Sequence, residues 1–150
     1  MVTSRKGIEL IKYFEGEHLM AYRCPAGIWT IGYGHTKGVF EGMSINKHLA
    51  EVFLLQDLRS IEKCINDTGL NINHNQFDAL ISLTYNIGIS AFLSSTLLLK
   101  LKDNPSDYKT IKHEFMRWIY VKGTLSNGLR NRRTAEYNLY ETDNTLKITI

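Results

Sequence analysis

The chain has 150 residues, enough for one domain or two small lobes whose core needs neither disulfide nor metal. Its 43% apolar and 22% charged content is that of an ordinary soluble globular protein. The net charge of +3 lies wholly in the second half: residues 1–75 hold 8 Lys/Arg and 8 Asp/Glu, and residues 76–150 hold 10 and 7. Such an excess is too weak to argue nucleic-acid binding but suits an anionic polymer. The two cysteines, Cys24 and Cys64, demand no disulfide framework, so two free thiols and a reducing compartment of synthesis are expected. Met1 to Lys6 contains no apolar core of a secretory leader.

In chain order, Ser4 is placed to cap a first helix through Phe14, with Ile8, Ile11 and the Phe14-Glu15 pair on one stripe. Gly16 suits the left-handed turn after that helix. Met20–Cys24 and Ile28–Tyr33 read as strands around the turn Pro25-Ala26-Gly27. The longest helical pattern starts at Ser44 or Asn46 and runs to about Ile65; Asn66-Asp67-Thr68-Gly69 stops it. Asn73 caps a helix over His74–Ile87 that ends at Gly88. Thr96–Lys102 is a shorter helix, Ser106 or Asp107 starts another up to about Tyr120, Lys122–Gly128 is a loop, and Leu129–Glu141 is the last helix. Ala79 to Leu99 is 21 residues without a charge, yet it carries Asn86, Gly88, four Ser and two Thr. It reads as a buried helix, a break and the start of another, not as a membrane span.

The expected fold is α+β: a single, mostly helical domain with a small hairpin lobe at about 16–43 and a connecting helix at about 45–66. A helical lobe follows at about 70–141, joined by residues 1–15, and the tail 142–150 is either an extended arm or disordered. A cleft between the two lobes follows from this layout.

Glu15 stands at the end of the first helix, where the negative pole of the helix dipole favours the protonated acid. A protonated carboxyl beside a hairpin is an arrangement for general-acid chemistry, such as glycosidic cleavage. Thr30 follows Trp29 on a strand and can orient water. Gly32 and Gly34 flank Tyr33 and permit close backbone approach to a ligand. His35 is expected as a structural hydrogen-bonding residue. The five histidines are scattered, so no metal site or cofactor is expected. Arg130, Arg132 and Arg133 open the last helix, an unfavourable place for cations without partners; Arg132 is expected on a solvated basic face.

Several motifs resemble one family. Phe14-Glu15-Gly16, Ala21-Tyr22-Arg23 and the run Gly27-Ile28-Trp29-Thr30-Ile31-Gly32-Tyr33-Gly34-His35-Thr36 are similar to the signature of the phage-type lysozymes, the muramidases used as endolysins. Gln76-Phe77-Asp78-Ala79-Leu80, Tyr85-Asn86-Ile87-Gly88, Ser95-Thr96-Leu97-Leu98, Arg117-Trp118 and the run Gly128 to Glu136 match later landmarks, so the resemblance extends to about Tyr140. It implies a lysozyme-like fold and a catalytic set at Glu15, position 24 and Thr30. Thr36, Tyr85, Asn86 and Thr96 would then contact sugar, with His35 and Arg130 supporting and Arg130 facing Glu15. The family's Asp is replaced here by Cys24. A thiol near an anionic Glu15 is expected to stay mostly protonated, which makes it a poor base. Nucleophile, water-positioning residue and packing residue all remain open for Cys24.

The resemblance implies hydrolysis of the β-1,4 bond between N-acetylmuramic acid and N-acetylglucosamine in bacterial peptidoglycan. A phage or prophage enzyme of this kind would act as a monomer and accumulate in the host cytoplasm. A separate holin would release it to the periplasmic wall. Two other classes fit the missing Asp: a lytic transglycosylase, which needs one acid and no activated water, and a wall-binding or effector relative that has lost catalysis.

Overall fold

The computed structural model describes residues 1–142; the tail expectation falls almost wholly on residues 143–150, outside the described residues. Helix α1 (Arg5–Glu15) ends at Gly16, whose φ of 71° and N–H bond to the Lys12 carbonyl close the last turn. Ser4 occupies the cap position, but its hydroxyl does not cap α1. It donates instead to the buried Asp78, which also accepts the Ser4 N–H at 2.9 Å. A cap bond saves one helix N–H, whereas a fully buried carboxylate needs several donors, and the carboxylate takes the hydroxyl.

Strands β1 (His18–Arg23) and β2 (Trp29–Gly32) pair antiparallel, with Tyr22 opposite Thr30 and Arg23 opposite Trp29. Met20 also bridges to Ser44, so the incoming loop lies along the open side of β1. Helix α2 (Lys47–Asp67) is capped by the Asn46 side chain on the Leu49 N–H. It buries the stripe Ala50, Leu54, Leu58, Ile61 and Ile65, and it packs on both β2 and α3.

Helix α3 (His74–Ile87) starts with a full capping box between Asn73 and Gln76 and is buried from Asn75 through Thr84. Its all-round burial explains the chargeless run: α1, α2 and α7 (Asn127–Glu141) surround it. Among the described residues no helix is long and apolar enough to cross a membrane. Close packing of α1 on α3 requires Gly7, because a Cβ there would lie 2.7 Å from Thr3 Cγ2 and 2.9 Å from the Asp78 carboxyl.

After Gly88, with φ 93°, a short helix α4 (Ile89–Leu93) occupies what the sequence suggested was only a break. Helices α5 (Thr96–Asp103) and α6 (Tyr108–Phe115) follow. The expected helix to Tyr120 stops five residues early. A hairpin of two-residue strands, β3 (Tyr120–Val121) and β4 (Thr124–Leu125), takes the end of that expected helix and the start of the expected Lys122–Gly128 loop. Lys122 and Gly123 both take positive φ, 49° and 78°, which matches the twist of a tight hairpin. The core runs through Phe77, Leu80, Ile81, Leu54, Leu58, Phe92, Phe115, Tyr137 and Tyr140.

Candidate active site

Glu15 is the last residue of α1 and its side chain is 22% exposed. With Gly34, Thr36, Lys37, Asp57, Tyr85 and Asn86 it lines a cavity of about 420 Å³ between the hairpin, α2 and α3. The structure therefore brings Glu15, Thr36, Tyr85 and Asn86 together. Thr96 is not among them. It is exposed at the start of α5 and lines a separate cavity with Glu114, Arg117 and Trp118.

Glycine at position 34 is what lets the hairpin close on the acid. Its φ is 96°, and a Cβ there would lie 3.3 Å from Tyr85 Oη and 3.4 Å from Glu15 Oε2. Tyr85 Oη donates to the Tyr33 carbonyl at 2.6 Å and ties α3 to the same turn. Burial, and then the charge of Glu15, push the Tyr85 phenol well above its usual range, so it stays a neutral donor.

The partner of Glu15 is Arg132, not Arg130. Arg132 Nη1 donates to Glu15 Oε1 at 2.6 Å, and its guanidinium lies 5.8 Å from the Phe14 ring centre. Arg130 is exposed and reaches only Asn127, at 3.3 Å. The expectation of a solvated Arg132 fails for the same reason. The buried stripe of α7 is Arg132, Arg133, Glu136, Tyr137 and Tyr140, and Arg130 lies off it.

Behind the acid sits a buried charge cluster that the sequence reading missed. Glu136, 0% exposed, accepts from Arg132 Nε at 3.0 Å and from the Ser82 hydroxyl at 2.7 Å. Arg133 Nε approaches its other oxygen at 3.1 Å as an ion pair without hydrogen-bond alignment. Glu15 and Glu136 thus face Arg132 and Arg133, two carboxyls against two guanidiniums. Burial pushes the Glu136 carboxyl upward, and the two guanidiniums oppose it. Burial also draws Arg133 down to about 10, still protonated at neutral pH. The signal was present in the spacing, since Glu136 follows the two arginines by four and three residues, and it outweighs the unfavourable dipole position.

His35 is buried between α2 and the hairpin. Its Nδ1 lies 2.8 Å from Asp57 Oδ2, its Nε2 lies 2.8 Å from the Lys37 carbonyl, and its ring stacks on Phe53 at 4.3 Å. It fixes the backbone that carries Thr36 and Lys37 into the cavity wall.

Cys24 and Thr30 sit at the turn end of the hairpin, outside the cavity wall just described. Thr30 is buried and its hydroxyl donates to the Ile28 carbonyl at 2.9 Å. Its lone pairs stay available for the Cys24 thiol or for water. The expected upward push on Cys24 is not what the turn produces. The Ile28 N–H first, and then the other amides of the turn, favour the thiolate and hold the thiol below its usual range. Tyr22, on β1, is raised by burial and then by the charges of Glu15 and Cys24. Cys64 is half-buried on α2 and burial pushes its thiol up. Among the described residues no group of His, Cys, Asp and Glu stands together as a metal site.

The chain is similar to known proteins over almost all of its length. The family model for phage lysozyme matches residues 12–136. An endolysin of Acyrthosiphon pisum secondary endosymbiont phage 1 is 44% identical over 146 residues, covering 94% of this chain and 99% of that one. The endolysin from Escherichia coli O157:H7 phage FAHEc1 superposes with a TM-score of 0.84 at 41% identity, covering 94% of each chain. The muramidase domain of SpmX from Asticaccaulis excentricus gives 0.87 at 35% identity, covering 94% and 98%. The chain belongs to the phage lysozyme family and is a muramidase of the endolysin type.

Proposed function

We propose that the enzyme hydrolyses the β-1,4 bond between N-acetylmuramic acid and N-acetylglucosamine, with Glu15 as the general acid. The observation that carries this reading is the Glu15 carboxyl itself. One of its oxygens is held by Arg132, and the other lies against Gly34 in a cavity lined by Thr36, Tyr85 and Asn86. Protonated Glu15 gives its proton to the leaving glycosidic oxygen as the C1–O bond breaks. The Cys24 thiolate, favoured by the turn amides, takes the proton of a water that Thr30 orients, and the oxygen of that water bonds to C1 as the glycosidic bond breaks. Thr36, Tyr85 and Asn86 hold the sugar chain, Thr96 lies on an outlying part of the substrate path, and His35 supports the wall.

The proposal includes action as a monomer and release to the wall from the host cytoplasm through a separate holin. The deciding experiment is product analysis of digested sacculi with wild type and Glu15→Gln. Reducing ends from wild type, and none from a folded Glu15→Gln variant, support the reading. Anhydro-muramic ends would assign a lytic transglycosylase, and an active Glu15→Gln would remove the acid.

A further inference from the structure

Arg133 is the largest fully buried side chain of the described residues, and the proposed hydrolysis does not use it. A guanidinium is costly to bury, so its contacts show what the position is for. It has two. It pairs with Glu136 at 3.1 Å, and its Nη2 donates to the side-chain oxygen of Asn86. Asn86 itself is exposed and lines the cavity that holds Glu15. Arginine has donors only, so the carboxamide atom facing it must be the oxygen. The Asn86 NH2 group then points away from Arg133 and has no partner among the described hydrogen bonds of the protein.

We propose that Arg133 is a positioning residue: by taking the Asn86 oxygen it turns the Asn86 NH2 group into the cleft as a fixed donor for an acetamido carbonyl of the bound glycan. An acetamido carbonyl is the strongest neutral acceptor on a chain of N-acetylated sugars. A freely rotating carboxamide would present its oxygen half of the time and lose that selectivity. The same carboxylate anchors both arms, because Glu136 holds Arg132, which grips the acid, and Arg133, which sets the amide. Holding both on one buried group fixes the distance between acid and sugar contact. This inference rests on the proposed glycan-binding role of the cleft.

The test measures binding of soluble glycan-peptide fragments of peptidoglycan to the full chain carrying Glu15→Gln, so that turnover does not intervene. Asn86→Ala weakens binding roughly fivefold to tenfold, the loss of one neutral hydrogen bond. Asn86→Asp keeps the Arg133 pair and the shape but exchanges donor for acceptor, and it weakens binding at least as much. Arg133→Gln weakens binding alone but adds nothing once Asn86→Ala is present, and Arg133→Lys restores part of the loss. A purely structural Arg133 would weaken binding by the same factor with or without Asn86, and that result overturns the proposal. So does an Asn86→Asp variant that binds like its parent, a result that does not depend on Arg133→Gln folding. Turnover by Glu15→Gln would overturn the catalytic reading and leave these binding comparisons standing.

Discussion

Arg132 Nη1 and Glu15 Oε1 are 2.6 Å apart across 117 residues of sequence. The acid is thus set not by the hairpin beside it but by the last helix, through a guanidinium whose side chain is 5% exposed. Arg132→Met leaves Glu136 buried with a single, poorly aligned cation. Breaking a buried pair costs about 3–5 kcal/mol, which in a chain of this size lowers Tm by roughly 6–20 °C. Below the melt the remaining activity falls by about a hundredfold, because the acid loses its orientation. Arg132→Lys regains part of both. A thermal melt by circular dichroism and a turbidity assay on permeabilised Gram-negative cells measure the two effects. An unchanged Tm for Arg132→Met would show that the cluster carries no stability.

Crowding at Gly34 is the second handle on the acid. Gly34 and Gly38 both have positive φ, 96° and 71°, so alanine strains either position. Only at Gly34 does the new Cβ meet Tyr85 Oη and Glu15 Oε2; at Gly38 nothing lies within 4 Å. Each variant is expected to lose on the order of 1–2 kcal/mol of stability from backbone strain. Gly34→Ala additionally loses turnover, by about tenfold or more from displacement of the acid. Comparing kcat for the two variants separates displacement from strain, and equal kcat values would refute the crowding argument.

Most of the fold was legible because its signals are local. The Asn73-Gln76 capping box and Gly88 bracket α3 at the residues expected, and the α2 stripe follows its helical period. The hairpin at Tyr120–Leu125 carries a local signal too: β-branched and aromatic residues on either side of Lys-Gly, a pair able to take two positive φ values. Ser4 went wrong because the competing acceptor, Asp78, lies 74 residues away. The site was legible in its types but not in its pairings. Glu15, Tyr85 and Asn86 could be matched by motif, whereas choosing Arg132 over Arg130 needed the buried face of α7. Reading Arg132, Arg133, Glu136, Tyr137 and Tyr140 as one stripe would have supplied it. The effect of the turn amides on Cys24 depends on loop geometry that no spacing rule encodes.

Acid sensitivity outside the cleft has a local source. Glu51 is held below its ordinary value of 4.5 chiefly by the hydrogen bond from Lys12, 2.7 Å away. A carboxyl lowered in the folded state binds protons more weakly there than in the unfolded chain. Its stabilisation is therefore complete above the ordinary value and is lost as the pH falls through the lowered one. The Glu51 side chain is 41% exposed, so solvent screening limits the effect to under about 1 kcal/mol. Glu51→Gln is expected to melt lower than wild type at pH 7 and to converge with it as the pH falls through the lowered carboxyl value. Melts across that range check the convergence, and a difference that persists at low pH would point to packing in place of charge.

The two thiols are pushed in opposite directions, so they should separate chemically. The Ile28 N–H foremost favours the Cys24 thiolate, whereas burial disfavours that of Cys64. Since the thiolate is the reacting species, iodoacetamide at neutral pH alkylates Cys24 first, and peptide mapping reads the order. Lytic activity falls in step with Cys24 modification and not with that of Cys64. Substitution then tells participation from obstruction, because a carbamidomethylated thiol also blocks the turn. Cys24→Ala loses most of its turnover if the thiolate acts directly, and retains wild-type turnover if it only fills space. Cys24→Asp places an acceptor-only anion before the same turn amides. It is expected to match or exceed wild type, and its activity should outlast alkylating conditions that silence the parent. An Asp variant as inactive as Cys24→Ala would mean that the turn is built for sulfur, and the proposed role would have to be one that only a thiolate can fill.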